Sequence, residues 1–140
     1  RDDLVTGVQT CALPIFEALG YIESSIETIN DGWSGVCATR KAMWLETETG
    51  LSLGVEITAP SDTQWLNQAT LVLAACQEGW DCCLEYRNSQ WVLWKYYSIH
   101  ADDSHVIENL KLQLALAYYF EHELLQPIKK QKPRLWRGKL

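Results

Sequence analysis

The chain has 140 residues, 47% of them hydrophobic, with seven Trp and a formal net charge of −6. That length suits a single domain, and the apolar content is ample for a packed core. No apolar run is long enough to span a membrane, so stable membrane insertion is not expected, and the acidic balance argues against nucleic acid as a main partner. Charge is uneven along the chain. Residues 16–125 hold sixteen acidic and five basic groups, net −11. Residues 126–140 hold Lys129, Lys130, Lys132, Arg134, Arg137 and Lys139 with no acid, and read as a basic tail. The five cysteines (11, 37, 76, 82, 83) are odd in number and irregularly spaced, without a CxxC. Thiols in a reducing cytosol fit that pattern better than a disulfide framework or a zinc site.

Taken in order, residues 1–15 look alien to the rest. Val5 to Ile15 matches the translation of a widely used short-read sequencing adaptor, with Arg1-Asp2 fitting just upstream and Asp3-Leu4 at the variable index codons. We expect residues 1–15, Cys11 included, to be an assembly artefact, with the biological chain entering near Phe16. Phe16-Glu17-Ala18-Leu19-Gly20 reads as the last turn of a helix stopped by glycine, and residues 21–32 as an irregular connection. Trp33 to Arg40 and Ala42 to Glu48 are strand candidates joined by a turn near Arg40-Lys41, and Thr49-Gly50 marks a second turn. Leu51, Leu53, Val55 and Ile57 then alternate with Ser52, Gly54, Glu56 and Thr58, the signature of a half-buried strand.

A middle helix follows. Ser61 as N-cap with Gln64 three residues on fits a capping box, and Trp65, Ala69, Val72, Leu73 and Cys76 form an apolar stripe that Gly79 closes. Asp81 to Tyr86 is a fourth strand, Arg87-Asn88-Ser89 a three-residue turn, and Gln90 to Tyr97 a fifth strand rich in aromatic and β-branched residues. Ala101 to Ser104 supplies capping side chains for a long helix. Its apolar face is Val106, Leu110, Leu114, Ala117, Phe120 and Leu124. The predicted architecture is α+β, ordered α-β-β-β-α-β-β-α over residues 16–125, with one five-stranded antiparallel sheet packed by helices.

The fifth strand is apolar on both sides. Val92, Trp94 and Tyr96 point one way; Trp91, Leu93 and Tyr97 point the other, with Lys95 the one polar member. A small sheet with one face on its helices should alternate apolar with polar. The second face therefore calls for a cover, either another copy or a ligand chain.

That element order, with Val55 to Asp62 leading into the middle helix and Cys82 to Tyr97 followed by Asp102-Asp103 and the long helix, resembles the class I type III secretion chaperones. The Ala59-Pro60-Ser61-Asp62 corner is similar to the branch of that family serving several effectors. The resemblance implies a small, acidic, cytoplasmic bacterial homodimer without catalytic activity, cofactor or metal, acting in virulence. Such a protein holds the N-terminal segment of a secreted effector extended around the dimer. It places the dimer contact on the middle helix and last two strands, hence at Trp65, Leu66, Val72, Leu73, Trp91 and Leu93. It places the client on the first helix and first strands, hence at Phe16, Leu19, Trp33, Trp44 and Leu45. The chain departs from the family in its mostly missing first helix, its many tryptophans and its basic tail. Independently of resemblance, holding an unfolded client requires apolar grooves and free strand edges for β-augmentation.

Other readings carry less. His100, Asp102, Asp103 and His105 offer metal-ligand types close in sequence, but helix capping accounts for them. Glu121-His122-Glu123 reads as a solvated helix end, since adjacent helical residues diverge around the axis. Cys82 and Cys83 read as structural thiols on opposite sides of a strand. A small metal-dependent enzyme would rest on the His/Asp cluster alone, and an interaction or regulatory domain of the same fold without a secreted client is the other alternative.

Overall fold

The computed structural model describes residues 27–29, 32–79 and 81–124. The expectations for residues 1–15, for Phe16, Leu19 and the helix end at Gly20, and for the basic tail lie outside the described residues.

Among the described residues, six strands and two α-helices follow one another: β1 (Glu27–Ile29), β2 (Gly32–Cys37), β3 (Arg40–Thr47), β4 (Gly50–Ile57), α1 (Thr63–Ala75), β5 (Cys82–Arg87), β6 (Gln90–Ser98) and α2 (Asp103–His122). The strands form one antiparallel sheet in the order β1-β2-β3-β4-β6-β5. The fold is thus the α+β arrangement expected, with one short edge strand more: β1 lies where an irregular connection was read, because three residues are too few to show alternation.

Two hairpins depart from the expected turns for one reason. Ala38-Thr39 and Asn88-Ser89 are two-residue loops with all four φ angles positive, 50° and 70°, then 50° and 62°. Such loops match the twist of the flanking strands, yet only Asn88 belongs to the residues that favour them, so the sequence pointed elsewhere. The cap of α1 is Asp62 rather than Ser61, its side chain accepting from the Gln64 N–H. At α2, Asp102 accepts from the His105 N–H at 2.9 Å, and hydrogen bonding there holds its carboxyl below the usual range.

The register between β4 and β6 decides which side of the sheet is dry. Leu51, Leu53, Val55 and Ile57 stand opposite Tyr97, Lys95, Leu93 and Trp91. All eight side chains are buried on the side that carries both helices. Trp65, Ala69 and Leu73 of α1 and Val106, Leu110, Ala117 and Phe120 of α2 complete that core. Gln113 of α2 is fully buried as well. It accepts from the Tyr97 hydroxyl at 2.7 Å and donates to the carbonyls of Leu53 and Leu93, stitching α2 to both central strands.

Glu121, expected in a solvated helix end, is instead an anchor. Its carboxylate receives both Arg40 Nη atoms at 2.8 Å and the Thr58 N–H at 2.8 Å, tying α2 to β3 and to the exit of β4. Burial alone would raise this carboxyl; the hydrogen bonds from Arg40 and Thr58 outweigh it and hold the group below its ordinary value.

Candidate functional site: an aromatic sheet face and the strand beside it

Because β6 alternates, its other face carries Val92, Trp94 and Tyr96, and no described helix packs on that side. The two central strands are matched there by size. Trp94 stands opposite Gly54 of β4, and a Cβ on Gly54 would fall 2.9 Å from the indole Cδ2 and Cε3 atoms. Tyr96 crosses Gly50 in the same way, with its hydroxyl 2.8 Å from where a Cβ would sit. Both rings thus lie against bare backbone instead of standing away from it. Their polar ends are fixed, Trp94 Nε1 donating to Glu85 at 2.8 Å and the Tyr96 hydroxyl bonded to Thr49 at 2.6 Å.

Register extends the surface outwards. Met43 lies opposite Gly54, and Leu45 opposite Ser52, which in turn faces Tyr96. Met43, Leu45, Trp94 and Tyr96 are all half-buried. Arg87 reaches from β5 to within 3.6 Å of the Met43 sulfur and 3.6 Å of Glu85, so one end of the surface is rimmed by charge. Beside it, Ser34, Val36, Lys41, Met43 and Glu56 line a shallow recess of about 460 Å³.

Next to this face runs β5, the last of the described strands. A second recess of about 450 Å³ lies between that strand and α1, lined by Leu66, Thr70, Leu73, Ala74 and Leu84. It continues towards Asp62, Leu66 and Tyr86. Leu71 and Tyr86, 68% and 46% exposed, are the large apolar side chains left open on α1 and β5. Among the described strands β5 is the last of the sheet, next to β6 alone, the position at which another strand can add.

The residues assigned from sequence divide sharply. Of the dimer set, Trp65, Leu73, Trp91 and Leu93 are buried at 1, 8, 7 and 0% exposure within their own chain. Trp65 packs on Trp91 at 5.1 Å and edge-on to Phe120 at 6.3 Å. The indole N–H groups bond to the carbonyls of Phe120 and Pro60. These four side chains build the core and have almost no surface to give; only Leu66 and Val72 are half-exposed. Of the client set, Trp44 is fully buried in the same core, whereas Trp33 and Leu45 are half-buried, Leu45 on the open face. The open face thus belongs to Trp94 and Tyr96, not to Trp91 and Leu93. The sequence held one signal for this: Gly50, Ser52 and Gly54, the small residues of β4, make room for large partners.

Among the described residues no group of three His, Cys, Asp or Glu side chains is placed to hold a metal, and no helix is long and apolar enough to cross a membrane. No protein-family model matches the chain, and no curated protein matches it either.

Proposed function

We propose that this chain is a binding module without chemistry of its own, a homodimeric class I type III secretion chaperone of the bacterial cytoplasm. Its client is the N-terminal segment of a secreted effector, held extended. The observation that carries the reading is the sheet face of Met43, Leu45, Trp94 and Tyr96, on which no described helix packs, lying beside β5, the last of the described strands. Together these supply side-chain recesses and main-chain hydrogen bonds to a segment with no fold of its own. Rings two residues apart on one strand recur at about 6.8 Å, the pitch at which an extended peptide presents alternate side chains.

Self-association runs through α1 and the edge of β5, using Leu66, Leu71, Val72, Leu84 and Tyr86. Antiparallel pairing of β5 with its own copy, with Leu84 on the twofold axis, sets Arg87 of one copy against Asp81 of the other and avoids like charges. A stable pair requires roughly 800 Å² from each subunit. The test is co-expression of the full chain with the N-terminal region of a secreted protein encoded beside it. A complex of two chains and one client in light scattering, with the client segment readily cleaved by protease once released, supports the reading. Separate elution of a monomer and the effector rejects it.

A further inference from the structure

Cys82 and Lys95 stand directly opposite each other in the β5–β6 pair, so both side chains leave the sheet on its helix-covered side. Lys95 Nζ lies 4.0 Å from Cys82 Sγ. Lys95 is 4% exposed, whereas Cys82 is half-buried and lines the recess between α1 and β5 together with Leu73 and Gly79. That recess is an entry path for a molecule as small as a peroxide. Neighbouring Cys83 is exposed on the opposite side of the strand, and no disulfide joins the described cysteines to one another.

From this geometry we propose that Cys82 and Lys95 are an oxidant-driven cross-linking site, a covalent staple between the edge strand and its neighbour, with hydrogen peroxide as the oxidant. The Cys82 thiolate attacks one oxygen of the peroxide. The O–O bond breaks, two electrons pass from sulfur to peroxide, and water leaves a sulfenic acid. The Lys95 amine nitrogen then attacks the sulfur; the N–S bond forms, the S–O bond breaks, and the hydroxyl departs with an amine proton as a second water. One thiol, one amine and one peroxide thus give one sulfenamide and two waters. Burial raises the Cys82 thiol, Lys95 pulls it the other way, and Asp81, Cys76 and Cys83 add to the rise, so the first step is slow and needs excess oxidant. The product closes the loop between residues 82 and 95 and pins the β5 edge, the element on which self-association is proposed to depend.

The experiment uses the reduced full-length chain, treated with graded hydrogen peroxide, quenched and digested with trypsin without reductant. The expected product is about 2 Da lighter than the reduced chain, resists cleavage after Lys95, joins peptides 42–87 and 88–111, and reverts with dithiothreitol. In Lys95→Arg the same treatment should leave Cys82 as a sulfenic acid that dimedone captures. Normal cleavage after Lys95 in the oxidised unaltered chain overturns the proposal, whether Cys82 is then found as a dimedone adduct or in a disulfide with Cys76 or Cys83. Because the deciding readout is on the unaltered chain, a folding defect in the variant does not blunt it.

Discussion

Gly54 shows how one missing methyl group shapes the proposed binding surface. A Cβ there would sit 2.7 Å from Val92 Cγ1 and 2.9 Å from the Trp94 ring, so Gly54→Ala must lift the indole from the sheet. The expected cost is about 1–3 kcal/mol in denaturant unfolding, together with a shifted Trp94 emission that is absent in a Trp94→Phe background. Strain at Ala38-Thr39 has the opposite promise. Thr39 is β-branched and held at a φ of 70°, so replacing the pair with Asn-Gly should stabilise the chain by about 1 kcal/mol. Glu121 gives a pH signature. Its carboxyl is depressed in the folded state, so the stability it adds is full above the ordinary carboxylate value and is lost as pH falls through the lower folded value. Glu121→Gln should flatten the fall of the melting temperature in that acidic window and cost about 1–3 kcal/mol at neutral pH.

Among the elements, β6 is where the sequence was most and least legible. Its existence, its aromatic density and its two apolar faces were plain from Trp91 to Tyr97. Which face needed a partner was not, because alternation within β6 is ambiguous and only pairing with β4 resolves it. The clean run Leu51, Leu53, Val55, Ile57 fixes the dry side, and the register then assigns Trp91 and Leu93 to it. The resemblance to the secretion chaperones put Trp65 and Trp91 at the interface, where the structure has them in the core. Trp65 meets Phe120 there, at the far end of α2, a long-range contact that local periodicity does not encode. Gln113 escaped notice and Glu121 was read as solvated for a related reason, since a polar residue on a helix reads as solvated until its distant partners are known. This sorting changes what substitutions should do. Leu93→Asp buries a charge and should cost about 4 kcal/mol or more, unfolding the chain instead of separating two copies. Leu66→Asp and Leu84→Asp should keep the melting temperature within a few degrees while weakening self-association, as sedimentation velocity would read.

Among the described residues, both helices lie on one side of the sheet, and the other side carries the half-buried Met43, Leu45, Trp94 and Tyr96. The order β1-β2-β3-β4-β6-β5 also makes β5 the last of the described strands. The proposed client-holding dimer would use both features: β5 and α1 would join the copies, and the aromatic faces of two sheets would give one extended guest a surface twice as long. Pinning β5 to β6 by oxidation would act on the same edge, linking the redox chemistry of Cys82 to assembly. The most direct measurement is multi-angle light scattering of the full-length chain, alone and after co-expression with the N-terminal region of a neighbouring secreted protein, comparing the unaltered chain with Trp94→Asp. A dimer that retains one client per pair, and loses it on Trp94→Asp while staying dimeric, is the expected result. A monomer at all concentrations, or a client held as well by Trp94→Asp as by the unaltered chain, would contradict the account.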